Sequence, residues 1–131
     1  MKKISMSNLD IYNTALGLRD NFNLKRDLYI PAIVNFTIQK NLSTFLRLAE
    51  DIEKVRNDIG EKYGRLDESG QSFYVLPENR DMANRELSQL MRLEQTVEIR
   101  TIDIRDLQDL KLNSEQMQTL MFMIEESLPI E

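Results

Sequence analysis

From Pro31 to about Gly64 the chain reads as one long helix, and that stretch limits every other choice the fold can make. Pro31 suits the first helical position, where a missing N–H costs nothing. Behind it Ile38, Leu42, Phe45, Ala49, Ile52, Ile59 and Tyr63 form a seam of apolar positions at helical spacing, the mark of a helix laid along another. At about 1.5 Å per residue the rod is roughly 50 Å long, longer than a domain of this size is usually wide. The chain must fold back along it, or a second molecule must cover what is left. Self-association, most simply as a dimer, is therefore expected.

The rod is not uniform. Ile33, Val34, Phe36 and Ile38 point nearly all round its axis, so this end is expected to be buried on most sides, with Ile33 and Phe36 as the candidate subunit contact. Beyond Ala49 the seam narrows between charged residues. Arg56 falls on it, between Ile52 and Ile59. Its stem can cover apolar surface while the guanidinium pairs with a neighbour; the alternative is partner recognition.

Around the rod the pattern alternates between short strands and helices. Residues 2–6 suit an edge strand, and Ser7 followed by Asp10 opens a helix with Leu9, Tyr12, Leu16 and Phe22 as its expected stripe. Arg19, Lys25 and Arg26 cluster in the bend before Pro31, a solvated corner or a phosphate contact. Gly64 stops the rod, residues 66–71 are turn chemistry, and 72–76, aromatic and β-branched, form a strand closed by Pro77. A helix over about 80–94 carries Met82, Ala83, Leu87, Leu90 and Met91 inside. Residues 96–102 read as a strand whose phase shifts at Thr101. Asn113 and Gln116 make a capping box for a last helix over 114–126. Its stripe is Met117, Leu120, Met121, Ile124 and Leu128. Phe122 and Met123 each lie about 100° or more from that stripe. They are a further candidate partner contact, methionine offering an adaptable apolar surface, unless the helix is buried on nearly all sides.

The expected architecture is a single α+β domain over residues 1–131, helix-dominated. The 31–64 helix lies antiparallel to the two shorter helices at 80–94 and 114–126. A small two- or three-stranded sheet is built from 2–6, 72–76 and 96–102.

Composition removes several chemistries. Cysteine and histidine are both absent, which excludes disulfides, thiolate zinc sites, the commonest metal ligand and the usual general base. No apolar run is long enough to span a bilayer, so a cytoplasmic protein with no membrane partner is expected. Residues 1–65 hold eleven Lys/Arg against eight Asp/Glu, whereas residues 66–131 hold six against fourteen. The acidic later half suits a basic protein partner better than nucleic acid, whose phosphates need clustered cations.

Two acidic groupings could still do chemistry. Glu98-Ile99-Arg100, with Glu94 or Asp81 upstream, has the outline of a magnesium-dependent nuclease site, though Arg stands where Lys is expected. Asp103, Asp106 and Asp109 could gather a hard cation, but no glycine supplies the sharp turn of a calcium loop. No phosphate loop, nucleophile elbow or dinucleotide fingerprint is present. Neither a catalytic residue nor a cofactor is expected.

A long helix ending Glu61-Lys62-Tyr63-Gly64 leads into the turn Asp67-Glu68-Ser69-Gly70. A helix with Glu86-Leu87, Leu90 and Glu94 feeds Val97-Glu98-Ile99, and a capped helix with Gln116 and Leu120 follows. Over residues 38–126 this order resembles small uncharacterised accessory proteins encoded by tailed bacteriophages and prophages. The resemblance implies a short accessory gene product in a bacterial host cell, without assigned catalysis and often made to bind something. The expected function is a non-enzymatic module that binds a host or phage protein, with inhibition of a host factor or defence nuclease through the acidic surface as one form of it. The alternative is a self-assembling structural or assembly subunit of a phage particle.

Overall fold

The long helix is present as α2 (Ala32–Tyr63), and its two halves have different surroundings. The structure is a computed structural model that describes residues 1–23, 29–70 and 72–125. Among the described residues it is helix-dominated α+β, with three two-stranded sheets in place of one shared sheet. Among the described residues there are four α-helices: α1 (Asn8–Leu18), α2, α3 (Arg80–Arg92) and α4 (Ser114–Leu120).

Strand β1 (Lys2–Ser7) runs directly into α1. The Ser7 hydroxyl accepts from the Asp10 N–H at 3.1 Å, closing the first turn as the sequence predicts. The buried stripe is Asn8, Ile11, Ala15 and Leu18, displaced from the expected Leu9, Tyr12 and Leu16. Asn8 explains the rotation. Its Nδ2 donates to the Leu90 carbonyl at 2.8 Å and its Oδ1 accepts from Gln95 Nε2 at 2.7 Å. Pinning Asn8 inward fixes the phase of the helix, because positions three and four apart share a face. A π turn over Arg19–Asn23 then brings Phe22 into the core. There Asn21 Nδ2 donates to the Gly17 carbonyl at 2.8 Å, which supports the widened turn.

The first six turns of α2 bury Val34, Ile38, Asn41, Leu42, Phe45, Ala49 and Ile52. They share one core with Ile11, Ala15, Leu18, Phe22, Val97 and Ile99, together with Leu120 and Met123 from the end of the described chain. At the far end Gly64 leaves the helix with an extended backbone (φ −133°), its N–H donating to the Gly60 carbonyl. A Cβ there would overlap the Tyr74 carbonyl oxygen, so glycine is required by close approach.

Gly64 is also the first residue of β2 (Gly64–Leu66), which pairs antiparallel with β3 (Phe73–Val75). The 72–76 segment therefore does not join the N-terminal strand, as expected, but closes a local hairpin. Its turn is held by the Asp67 N–H donating to the Ser72 carbonyl at 2.8 Å, with Gly70 at φ 72°, where a side chain would be strained. A hairpin this short closes at little entropic cost and outcompetes a distant partner. β1 pairs instead with β4 (Glu94–Ile99), antiparallel from Lys2–Ile99 to Ser7–Glu94.

The predicted break at Thr101 is real. β4 stops at Ile99 and β5 (Ile102–Asp103) follows, parallel to β6 (Ile124–Glu125). Asn113 caps α4 with both capping-box bonds in place, Gln116 N–H to Asn113 Oδ1 at 2.7 Å and Asn113 N–H to Gln116 Oε1 at 3.0 Å. The helix ends at Leu120, well before 126, and a 3₁₀ turn carries Met121–Met123. α4 packs on α1 and the π turn, whereas α2 packs chiefly on α1 and α3. Leu128 and the expected helix end at Glu126 lie outside the described residues. No helix among the described residues is long and apolar enough to cross a membrane.

Candidate protein-binding surfaces

The early end of α2 departs from its expected burial. Val34 and Ile38 are in the core, but Ile33 is 81% exposed and Phe36 54%. Pro31 starts the helix without a side-chain cap, and the Asn35 N–H returns to its carbonyl at 2.9 Å. The phase that sends Val34, Ile38, Asn41 and Leu42 inward forces Ile33 and Phe36 outward, since one helix cannot bury all four directions against a single neighbour. Phe36 is framed by cations. Lys40 Nζ lies 5.5 Å from the ring centroid, and the Arg100 guanidinium, from the end of β4, also lies 5.5 Å away. Both distances fall within cation–π range. From Ala32 to Ala49 the helix carries Lys40 and Arg47 and no acidic residue, so this face is apolar with a positive rim.

Arg56 is occupied within its own chain. Its guanidinium lies 5.8 Å from the Tyr12 ring of α1, and Nη1 is 3.5 Å from Glu53 Oε2. That carboxylate oxygen is buried without a hydrogen bond although the side chain as a whole is partly exposed, so Arg56 supplies its charge compensation. This is the tethering role that the stem-and-pair expectation describes.

Phe122 and Met123 are not an exposed patch. The helix stops at Leu120, so the angular argument that set them apart from Met117, Leu120 and Ile124 does not apply to the 3₁₀ turn that follows. Met123 is fully buried, its sulfur accepting from Asn41 Nδ2 at 3.3 Å. Phe122 packs edge-to-face on Phe45, with centroids 5.4 Å apart and planes at 79°. Met121, assigned inward by the sequence, is 62% exposed instead.

Of the acidic candidates for chemistry, Glu94 and Asp103 have another occupation, whereas Asp81, Glu98, Asp106 and Asp109 are exposed. Ile99 is buried while Glu98 and Arg100 face outward, the alternation of a half-buried strand. Arg100 leans over Phe36, and Glu94 Oε2 accepts from the Ser5 hydroxyl at 3.5 Å. Asp103 caps the next turn, accepting from the Arg105 N–H at 2.9 Å, and pairs with the Arg105 guanidinium at 3.0 Å. Among the described residues no group of three acidic side chains is placed to hold a metal ion. Arg19 pairs with Asp20 at 3.1 Å; Lys25 and Arg26 lie outside the described residues.

A second apolar surface went unpredicted. Between Ile52 and Tyr63 no residue of α2 is buried, and α3, which runs back beside this stretch, buries Ala83 alone. A groove of about 690 Å³ opens between the two helices, walled by Val55, Ile59, Leu90 and Leu93. Val55 is 44% exposed and Leu93 59%. At one end Lys62 Nζ pairs with Glu86 Oε1 at 3.2 Å. The Glu86 carboxylate is held below its ordinary value, chiefly by the Tyr63 hydroxyl and then by Lys62. The spacing Val55–Ile59–Lys62 was visible in the sequence. What concealed it was the reading of this stretch as a narrow seam clothed by charged residues.

Comparison with family models, with curated proteins and with solved structures finds no match to this chain.

Proposed function

We propose that this chain is a non-enzymatic protein-binding module, of the accessory kind that the phage likeness implies, and that it engages its protein partner through the early end of α2. The observation that carries this reading is the exposure of Ile33 and Phe36 beside the Lys40 and Arg100 cations. A large aromatic next to an exposed isoleucine is typical interface-anchor chemistry. The positive rim supports a partner whose apolar contact is edged by carboxylates. Three cations on a chain of net charge −5 are thin for a phosphate backbone.

The inhibitor variant, in which the acidic later half meets a basic groove of a host factor or defence nuclease, rests on a different observation. Glu94, Glu98, Asp106, Asp109 and Glu115 are all exposed.

The test is capture from bacterial lysate with wild type beside Ile33→Ser/Phe36→Ser, followed by calorimetry with the purified partner. Both side chains are exposed in the protomer, so the double variant is expected to keep its stability within about 0.5 kcal/mol. Its affinity should fall at least tenfold, since anchor truncations cost about 2 kcal/mol or more. Undiminished binding by the variant would move the contact elsewhere, and Glu94→Lys/Glu98→Lys then tests the acidic face.

A further inference from the structure

The groove between the later half of α2 and α3 is a separate surface, and its occupant can be read from its own chemistry. The open side is mostly apolar, with Val55 and Ile59 from α2, Leu90 from α3 and Leu93 just past its end, and it also carries Glu86, Gln89 and Arg92. The two helices run antiparallel. Lys62 meets Glu86, and Val55 and Leu93 each lie two turns, about 10 Å, further in the same direction. The groove therefore has levels, a charged one at Lys62/Glu86 and apolar ones at Ile59/Leu90 and Val55/Leu93.

We propose that a second copy of this chain fills the groove, joining the two α2/α3 pairs into an antiparallel four-helix bundle about a two-fold axis that runs along the helices. Such an axis sets each level against the same level of the partner, with α2 facing the partner's α3. Val55 then meets the partner's Leu93, and Ile59 the partner's Leu90. At the charged level Lys62 and Glu86 alternate with the partner's Glu86 and Lys62, so every cation has an anion on either side. A surface that is complementary to itself in both charge and apolarity is what an isologous contact requires. A foreign helix would need its own acid and base at matching heights.

The thin burial argues the same way. After Ile52, α2 together with α3 buries Tyr63 and Ala83 alone among the described side chains, so this end of the pair is short of core, and in bundles of this kind the second pair supplies the missing face. The early end of α2 stays free for the partner of the proposed function, so the two readings fail independently.

The experiment uses the full chain. Light scattering at tens of micromolar is expected to give twice the 15.4 kDa chain mass for wild type, and the single-chain mass for Val55→Arg/Leu93→Arg. Circular dichroism should be unchanged, because both positions are exposed in the protomer. The sequence has no cysteine, so a chain with Val55→Cys mixed with one carrying Leu93→Cys should form the mixed disulfide on oxidation. A wild-type monomer at that concentration overturns the proposal. So does a dimer that survives the double arginine variant, or cross-linking that occurs through Phe36→Cys in place of the groove pair.

Discussion

Asn41 shows how one polar residue on an apolar seam can set a strand boundary. It is almost fully buried, its Nδ2 donating to the Arg100 carbonyl and its Oδ1 accepting from the Arg100 N–H, each at 2.9 Å. It thus supplies the pairing that a neighbouring strand would have given where β4 stops. Asn41→Ala should leave both backbone groups of Arg100 without partners and cost about 2–4 kcal/mol, read as a lower urea midpoint at unchanged slope. Glu86 makes a pH prediction. Its carboxyl is depressed from an ordinary value near 4.5 by the Tyr63 hydroxyl and Lys62. The stability it contributes is therefore present above that value and lost as pH falls through the lower, folded one. Glu86→Gln should flatten the acid limb of a melting-temperature profile below about pH 4.5 and leave the neutral region nearly unmoved.

At the scale of elements, two glycines separate what is required from what is tolerated. Gly64→Ala forces a Cβ into the Tyr74 carbonyl and should cost about 1–3 kcal/mol as the β2–β3 hairpin shifts. Gly17 lies in α1 with Thr119 at ordinary contact distance, 3.5 Å, from an added Cβ. There alanine should raise stability by about 0.5–1 kcal/mol through helix propensity; chemical denaturation of the two variants checks both signs. Most elements were legible because their signals are local. The α2 seam, the Ser7 and Asn113 caps and the phase break at Thr101 each depend on residues close in sequence. The misplaced parts depended on distant partners. The face of α1 was set by Asn8 reaching Leu90, and the strand at 72–76 was taken by its neighbour at 64–66. Met123 was judged on a helix that had already ended. Of the candidate contacts, Ile33 and Phe36 are exposed, whereas Arg56 and Met123 are engaged within their own chain.

For the whole molecule, the pairing of β1 with β4 has a consequence for how the protein comes into being. The partner of β1 is synthesised some ninety residues after it, in the register Lys2–Ile99 to Ser7–Glu94. At the usual elongation rate of about 5–20 residues per second, β1 waits roughly 5–20 s before its partner strand exists, its backbone groups bonded to water. A polypeptide released after Leu93 should lack that ladder and the anchors that Gln95 and Arg100 give to Asn8 and Asn41. Its amide exchange should reveal an unprotected N-terminal strand even where helical signal persists. Slow codons placed between β1 and residue 94 would lengthen the time for which the first strand stays unpaired.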